Sequence, residues 1–272
     1  MIYHSNFQQQ LNGQPVDITD LPVLAGLNYG HFTSMQVRQK KVRGLRLHLQ
    51  RLEQSSLQLF QCSVHNDTIQ AYIRHILADD DAPCSLRIHV FVRPEHLHTA
   101  KEEHLQVLIT KSAPLYPGSD PIAVKSYTYE RILPAIKHAG IALGILAYKQ
   151  QALAAGFDDV LYTDSQGNIS EGSVWNIGFY DGKKVVVPTT PALPGITLQL
   201  ITAKLPQFGI EVISRAIHLD ELANFTSAFA MNSILIGQSI ARINDRRFTV
   251  DPAFTAVLEE AYARNEWEPV FS

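Results

Sequence analysis

Apolar residues recur at helical spacing in RGLRLHLQRLEQSSLQLF (43–60), where Leu45, Leu49, Leu52 and Phe60 fall on one side. Residues three and four apart share a face of a 3.6-residue turn, so this spacing predicts an amphipathic helix. TIQAYIRHILA (68–78) repeats the pattern with Ile69, Tyr72, Ile73 and Ile76 inward. Alternation in HFTSMQV (31–37), SLRIHVFV (85–92) and HLQVLIT (104–110) predicts strands instead. The segment 111–121, KSAPLYPGSDP, holds three prolines and a glycine and reads as a linker. Beyond it come a strand (121–127), an irregular stretch, and a helix over 141–156 that Gly156 stops. A strand at 159–163 leads into a hairpin whose turn is Asp181-Gly182. A Pro-rich loop then becomes a helix at Ile196 or Thr197, followed by a strand (211–217), a helix (219–225), a strand (227–236) and a helix around 252–264. The pattern predicts a mixed α/β fold in two parts: a smaller domain over 1–112, a linker over 113–121 and a larger domain over 122–272.

Composition narrows the partners. Of 272 residues, 46% are hydrophobic and 18% charged, with a net charge of −3 and no basic stripe; a nucleic-acid partner is not expected. The apolar run GIALGILAY (140–148) is too short to span a bilayer, so no membrane partner is expected. The start, MIYHSNFQQQ, lacks the charged and apolar regions of a secretory signal. Cys62 and Cys84 stand apart without metal-like spacing, which fits a reduced cytoplasm and no metal site. The Asp79–Asp81 run reads as a solvated turn.

Four short stretches could carry chemistry. In NISEGSVWNIGFYDG (168–182), Glu171 is an acid within a strand, flanked by Ser170, Gly172 and Ser173. Small neighbours allow close approach of another group, yet a solvent-facing glutamate is the plainer reading. PGIT (194–197) opens a helix whose free N–H groups suit a phosphate, although many helices begin after Pro-Gly. In HLQRL (48–52), His48 and Arg51 share a helix face, and Arg51 is either a surface residue or a phosphate clamp. In PAIKHAG (134–140), Lys137 has apolar neighbours, and a desolvated lysine can attack an aldehyde. Neither a GxGxxG nor a GxxxxGK[ST] motif is present.

Taken in order, HLQRL (48–52), IKHAG (136–140), GFDDVLYTDSQGNISEGSVWNI (156–177), LPGIT (193–197) and MNSIL (231–235) resemble the fold-type IV pyridoxal-phosphate enzymes. That family covers branched-chain and D-amino-acid aminotransferases and aminodeoxychorismate lyases. The resemblance spans about residues 28–250 and implies a two-domain α/β fold, the cofactor pyridoxal 5'-phosphate and a homodimer. Lys137, 34 residues before Glu171, has the family's spacing; Lys125 does not. By resemblance, Lys137 carries the cofactor as a Schiff base and shuttles the Cα proton, and Glu171 pairs with the pyridine nitrogen. Arg51, Gly195, Ile196, Thr197 and Asn232 or Ser233 would hold the phosphate, and Asn176 would support the Glu171 strand.

Within the family, YGHFTSMQV (29–37) is similar to the lyase pattern, with Thr33 where aminotransferases more often have Glu. Asn232-Ser233 also looks like the lyases. Against the pattern, Leu198 replaces an arginine common after Gly-Ile-Thr, Ala142 stands where some members have an aromatic, and RPEHLHTAKEE (93–103) replaces a Gly/Arg-rich substrate loop. Candidate substrate residues are Tyr29, Thr33, Arg93 and Tyr116, with Arg87 and His89 as substitutes. The reading is a PLP enzyme for a small amino-carboxylate: an aminodeoxychorismate lyase of folate biosynthesis first, an amino-acid aminotransferase second. A non-catalytic, PLP-binding member is a further alternative.

Overall fold

The computed structural model describes residues 7–26, 28–78, 81–116, 118 and 120–270. Asp79 and Asp80 of the expected turn, and Pro117 and Ser119 of the expected linker, lie outside them.

The chain divides into two compact units, the first comprising residues 1–115, 136–140 and 266–272, the second 116–135 and 141–265. The first contains β1 (Gln8–Leu11), β2 (Gln14–Pro15), α1 (Leu21–Ala25), β3 (Gly30–Val37), β4 (Lys41–Arg43), α2 (Leu45–Phe60), α3 (Asn66–Leu77), β5 (Cys84–Val92) and β6 (Leu105–Ser112). Five strands form a sheet in the order β2-β1-β6-β5-β3, antiparallel throughout. The apolar faces of α2 and α3 (Leu45, Leu49, Leu52, Ile69, Ile73) share one core with Met35, Val37 and Ile88 of the sheet. Because side chains alternate along a strand, Thr33 falls on the same side of β3 as Met35 and Val37. It therefore meets α2.

The second unit contains β7 (Ile122–Thr128), α4 (Ala142–Ala154), β8 (Asp159–Thr163), β9 (Ile169–Gly172), β10 (Asn176–Tyr180), β11 (Lys184–Pro188), α5 (Ile196–Thr202), β12 (Glu211–Arg215), β13 (Ser227–Met231), β14 (Ile236–Ile243), β15 (Arg246–Arg247) and α6 (Pro252–Ala263). Its sheet runs β12-β11-β10-β13-β14-β7-β8-β9, and a further β9–β10 pairing closes the path from β10 to β9 into a ring. Two strands of this ring are buried on both faces: every residue of β8 and β9 is buried.

Two expectations change. The strand expected over 227–236 is two strands, because Asn232 folds 232–235 into a turn by accepting the N–H groups of Ile234 and Leu235. The helix expected over 219–225 is a 3-10 turn, Leu219–Asn224, capped by His218. A linear cut near 113–121 also misses two segments. Residues 136–140 pack in the first unit, where Phe32 donates its N–H to the Lys137 carbonyl at 2.9 Å. At the chain's end, β16 (Trp267–Pro269) returns to the first unit and pairs with β4.

Candidate active site

In the second unit, Glu171 is 4% exposed, not solvent-facing. Burying a carboxylate is costly unless it is paired. Arg131 supplies that pairing: its Nη1 is 2.5 Å from Glu171 Oε1, and both side chains are buried. The second oxygen, Oε2, accepts the Leu193 N–H at 3.3 Å. Arg131 escaped the sequence reading because 129–138 has no periodicity; its only signal is an arginine six residues before Lys137. The local chain is turned inside out around it. Arg131 points in, while Ile132 is 81% exposed and Leu133 adopts a left-handed φ of 50°. Gly172 follows Glu171 because a Cβ there would enter the Trp175 indole. Ser173 is buried, and its hydroxyl has no hydrogen-bond partner.

Gly195 precedes α5 in extended conformation, with Ile196 and Thr197 in the buried first turn. The Thr197 hydroxyl donates to the Asn232 carbonyl at 2.8 Å. The Asn232 side chain is engaged at both ends, since Oδ1 holds the 232–235 turn and Nδ2 donates to the Val174 carbonyl at 3.2 Å. Ser233 lies half-buried within that turn. The structure thus brings together Glu171, the PGIT segment and Asn232 through the hairpin between β9 and β10.

In the first unit, Thr33 Oγ1 accepts a close hydrogen bond from Arg51 Nη2 and lies 2.7 Å from His48 Nδ1. Burial lowers the Arg51 pKa to about 10 and, with the Arg51 and Lys137 charges nearby, holds His48 well below the ordinary histidine value. His48 is therefore neutral. Among the described residues Arg51 has no carboxylate partner, and its buried Nε has no hydrogen-bond partner. A cation so placed lacks an anion. His31 bonds Ser56 through Nε2 at 2.8 Å, and burial lowers its pKa to about 3. The segment carrying Lys137 is anchored by Ile136, 1% exposed, and Lys137 Nζ lies 5.0 Å from the Phe32 ring centre.

The remaining candidates separate. Tyr29 donates to the Leu59 carbonyl at 3.2 Å and meets Phe60 edge-on. Arg93 is ion-paired with Asp20 at 3.1 Å. Tyr116, 69% exposed, begins the second unit. Arg87 lies over the Phe32 ring, with His89 against the same ring. Lys125 sits 5.3 Å from the Phe157 ring and belongs to the second unit, whereas the Lys137 segment belongs to the first.

These residues fit pyridoxal phosphate by their chemistry. Among the described residues Arg51 is a cation without an acid and Ser173 holds an orphaned hydroxyl, while Glu171 is a buried carboxylate and Lys137 is an amine beside an aromatic ring.

The profile of the amino-transferase class IV family matches residues 30–243. A probable branched-chain-amino-acid aminotransferase from Rickettsia felis is 33% identical over 106 residues. That match covers 38% of this chain and only 37% of the relative. Among solved structures, the branched-chain amino acid aminotransferase of T.th. complexed with N-(5'-phosphopyridoxyl)-L-glutamate superposes with a TM-score of 0.79 at 16% identity, covering 94% of each chain. A candidate 4-amino-4-deoxychorismate lyase from Legionella pneumophila gives 0.78 at 19% identity, covering 88% of this chain and 92% of its own. At such identities the likeness establishes the fold. With the profile match over most of its length, the chain belongs to the class IV aminotransferase family of pyridoxal-phosphate enzymes.

Proposed function

We propose that this chain binds pyridoxal 5'-phosphate and acts on a small amino-bearing carboxylate, with aminodeoxychorismate lyase-like cleavage as its leading reaction. The observation that carries the reading is Arg51, a cation that has no carboxylate partner among the described residues and whose buried Nε has no hydrogen-bond partner. When bound, the cofactor supplies an electron sink for the pair left at the amine-bearing carbon once its proton is removed. Lys137 would hold the cofactor through Nζ and would move the proton at that carbon. Positioned proton transfer of this kind is worth about 10²–10⁴-fold in rate. Glu171 would face the ring nitrogen, and the Arg131 guanidinium keeps it a carboxylate by offsetting the cost of burying its charge. Arg51 would be the charge partner of the phosphate, and the backbone N–H groups of Ile196 and Thr197 and the Ser233 hydroxyl would be donors to it.

Lyase chemistry is supported by Thr33: a neutral hydroxyl bonds Arg51 where an acid would neutralise it. The aminotransferase reading is supported by the curated relative's name. A homodimer is also proposed, consistent with Leu143, Leu146 and Leu153 exposed along α4; light scattering of the purified protein tests it.

Reconstitution with pyridoxal phosphate should give a visible absorbance band that is absent in Lys137→Ala. Without that band in the wild type the proposal fails. Pyruvate release from 4-amino-4-deoxychorismate with no added keto acid supports the lyase, and strict dependence on a keto acid supports the aminotransferase.

A further inference from the structure

Asn176 faces Glu171 across the β9–β10 pairing. From there the two side chains grip one residue of the loop that leads into α5. Leu193 gives its N–H to Glu171 Oε2 at 3.3 Å, and its carbonyl accepts Asn176 Nδ2 at 2.8 Å. These are the two hydrogen bonds of Leu193 among the described residues. The other end of the amide is also fixed: a Cβ on Gly195 would run into Asn176 Oδ1, so the residue before α5 has to be glycine for this amide to lie where it does. Asn176 is buried, at 7% exposure. Its side chain therefore does more than support the Glu171 strand.

Arg131 holds the Glu171 carboxylate at Oε1 and Leu193 holds it at Oε2. A carboxylate fixed at one oxygen still turns about its last torsion, which is broad and roughly two-fold. The Leu193 N–H restricts that freedom, and Leu193 is itself held in place through its carbonyl by Asn176. We propose that Asn176 is a positioning residue that sets the Glu171 carboxylate plane through Leu193. It would also couple that carboxylate to the loop opening α5. This role presupposes the cofactor-facing function of Glu171 proposed above.

The test is a two-by-two set of variants, with Asn176→Ala made in the wild type and in Glu171→Gln. Pyridoxal phosphate is titrated into each while the visible band is followed across pH. In the wild-type background Asn176→Ala should weaken cofactor binding about tenfold and shift the pH midpoint of the band. In the Glu171→Gln background the same change should cost less than about twofold. Equal losses in both backgrounds, or an unmoved pH midpoint, overturn the proposal. A separate readout uses the cofactor-free protein, in which hydrogen exchange at the Leu193 amide should accelerate in Asn176→Ala; unchanged exchange overturns the coupling. Should the alanine variant not fold, Asn176→Ser keeps a small polar group and is judged by the same criteria. A wild type that gives no band defeats the cofactor reading, whereas the exchange experiment judges the Leu193 link by itself.

Discussion

Glu171 and Arg131 form the kind of contact whose two halves are worth far more together than apart. Removing one member of a buried ion pair typically costs about 3–5 kcal/mol, because the other charge is left without compensation. Arg131→Met should therefore lower the unfolding free energy by about that much in urea melts. Adding Glu171→Gln should restore much of the loss, although it removes the carboxylate proposed to face the ring. Histidines set the response to acid. His31 is buried and His89 half-buried, with pKa values lowered by desolvation to about 3 and about 4 from 6.5, and nearby positive charge adds to the shift. An unfolded chain then binds protons before the folded one. Stability is complete above pH 6.5 and declines as pH falls, through the window down to about 4 for His89 and about 3 for His31. Each group contributes a slope of about 1.4 kcal/mol per pH unit inside its window. His89→Leu should flatten the decline between pH 6.5 and 4 by one such slope; a profile as steep as the wild type's would show that His89 is protonated in the folded protein.

At the scale of elements, β3 and α2 work as a pair. The strand alternation puts Thr33 against the helix face that carries His48 and Arg51, and its hydroxyl bonds to both. Thr33→Val keeps the shape and removes the acceptor. It should cost about 1–3 kcal/mol in stability, the range for orphaning buried polar groups, and the melting temperature reports it. In the β9–β10 hairpin, Gly172→Ala would push into the Trp175 ring, whose Nε1 is bonded to Asp159 at 3.2 Å. Overpacking of that kind costs about 1–3 kcal/mol. Near-ultraviolet circular dichroism should show the displaced tryptophan, and an unchanged aromatic spectrum would sink this prediction. The helical face of α2 was legible because burial on one side imprints a 3.6 period, and Leu45, Leu49, Leu52 and Phe60 are all buried as that period requires. The break at 232–235 was not legible: Asn232 makes its turn with side-chain bonds that interrupt an otherwise apolar strand.

Across the whole molecule, chain order and unit membership part company. Residues 266–272 belong to the first unit although they follow the entire second one. There Val270 is fully buried, Trp267 lies 4.3 Å from the Arg43 guanidinium, and Glu268 Oε2 accepts the Arg46 N–H at 3.0 Å, where α2 begins. An acid at a helix N-terminus is favourable by about 0.3–1 kcal/mol, and burying a valine adds about 1.5–3 kcal/mol. Truncation before Glu266 should thus destabilise the first unit by about 2–4 kcal/mol. Limited proteolysis should then cut earliest within α2, and equal resistance of the truncated and full chains would contradict this. Among the described residues no helix is long and apolar enough to cross a membrane.

The sequence by itself determined the family, the mixed α/β fold and most element types, because these depend on local spacing: a period of 3.6 or 2, a glycine after a helix, a motif of fixed length. It also marked Lys137, Glu171, Arg51 and the PGIT segment, whose order along the chain carries the resemblance. Only the tertiary structure decided that Glu171 is buried, that Arg131 is its partner and that Asn176 reaches the loop before α5. Those contacts join residues 40, 22 and 17 positions apart. No local period records them, since an aperiodic loop can place any of its side chains inward. What selects Arg131 is the cost of leaving a carboxylate alone inside the protein, and that cost exists only once the strands around Glu171 have closed.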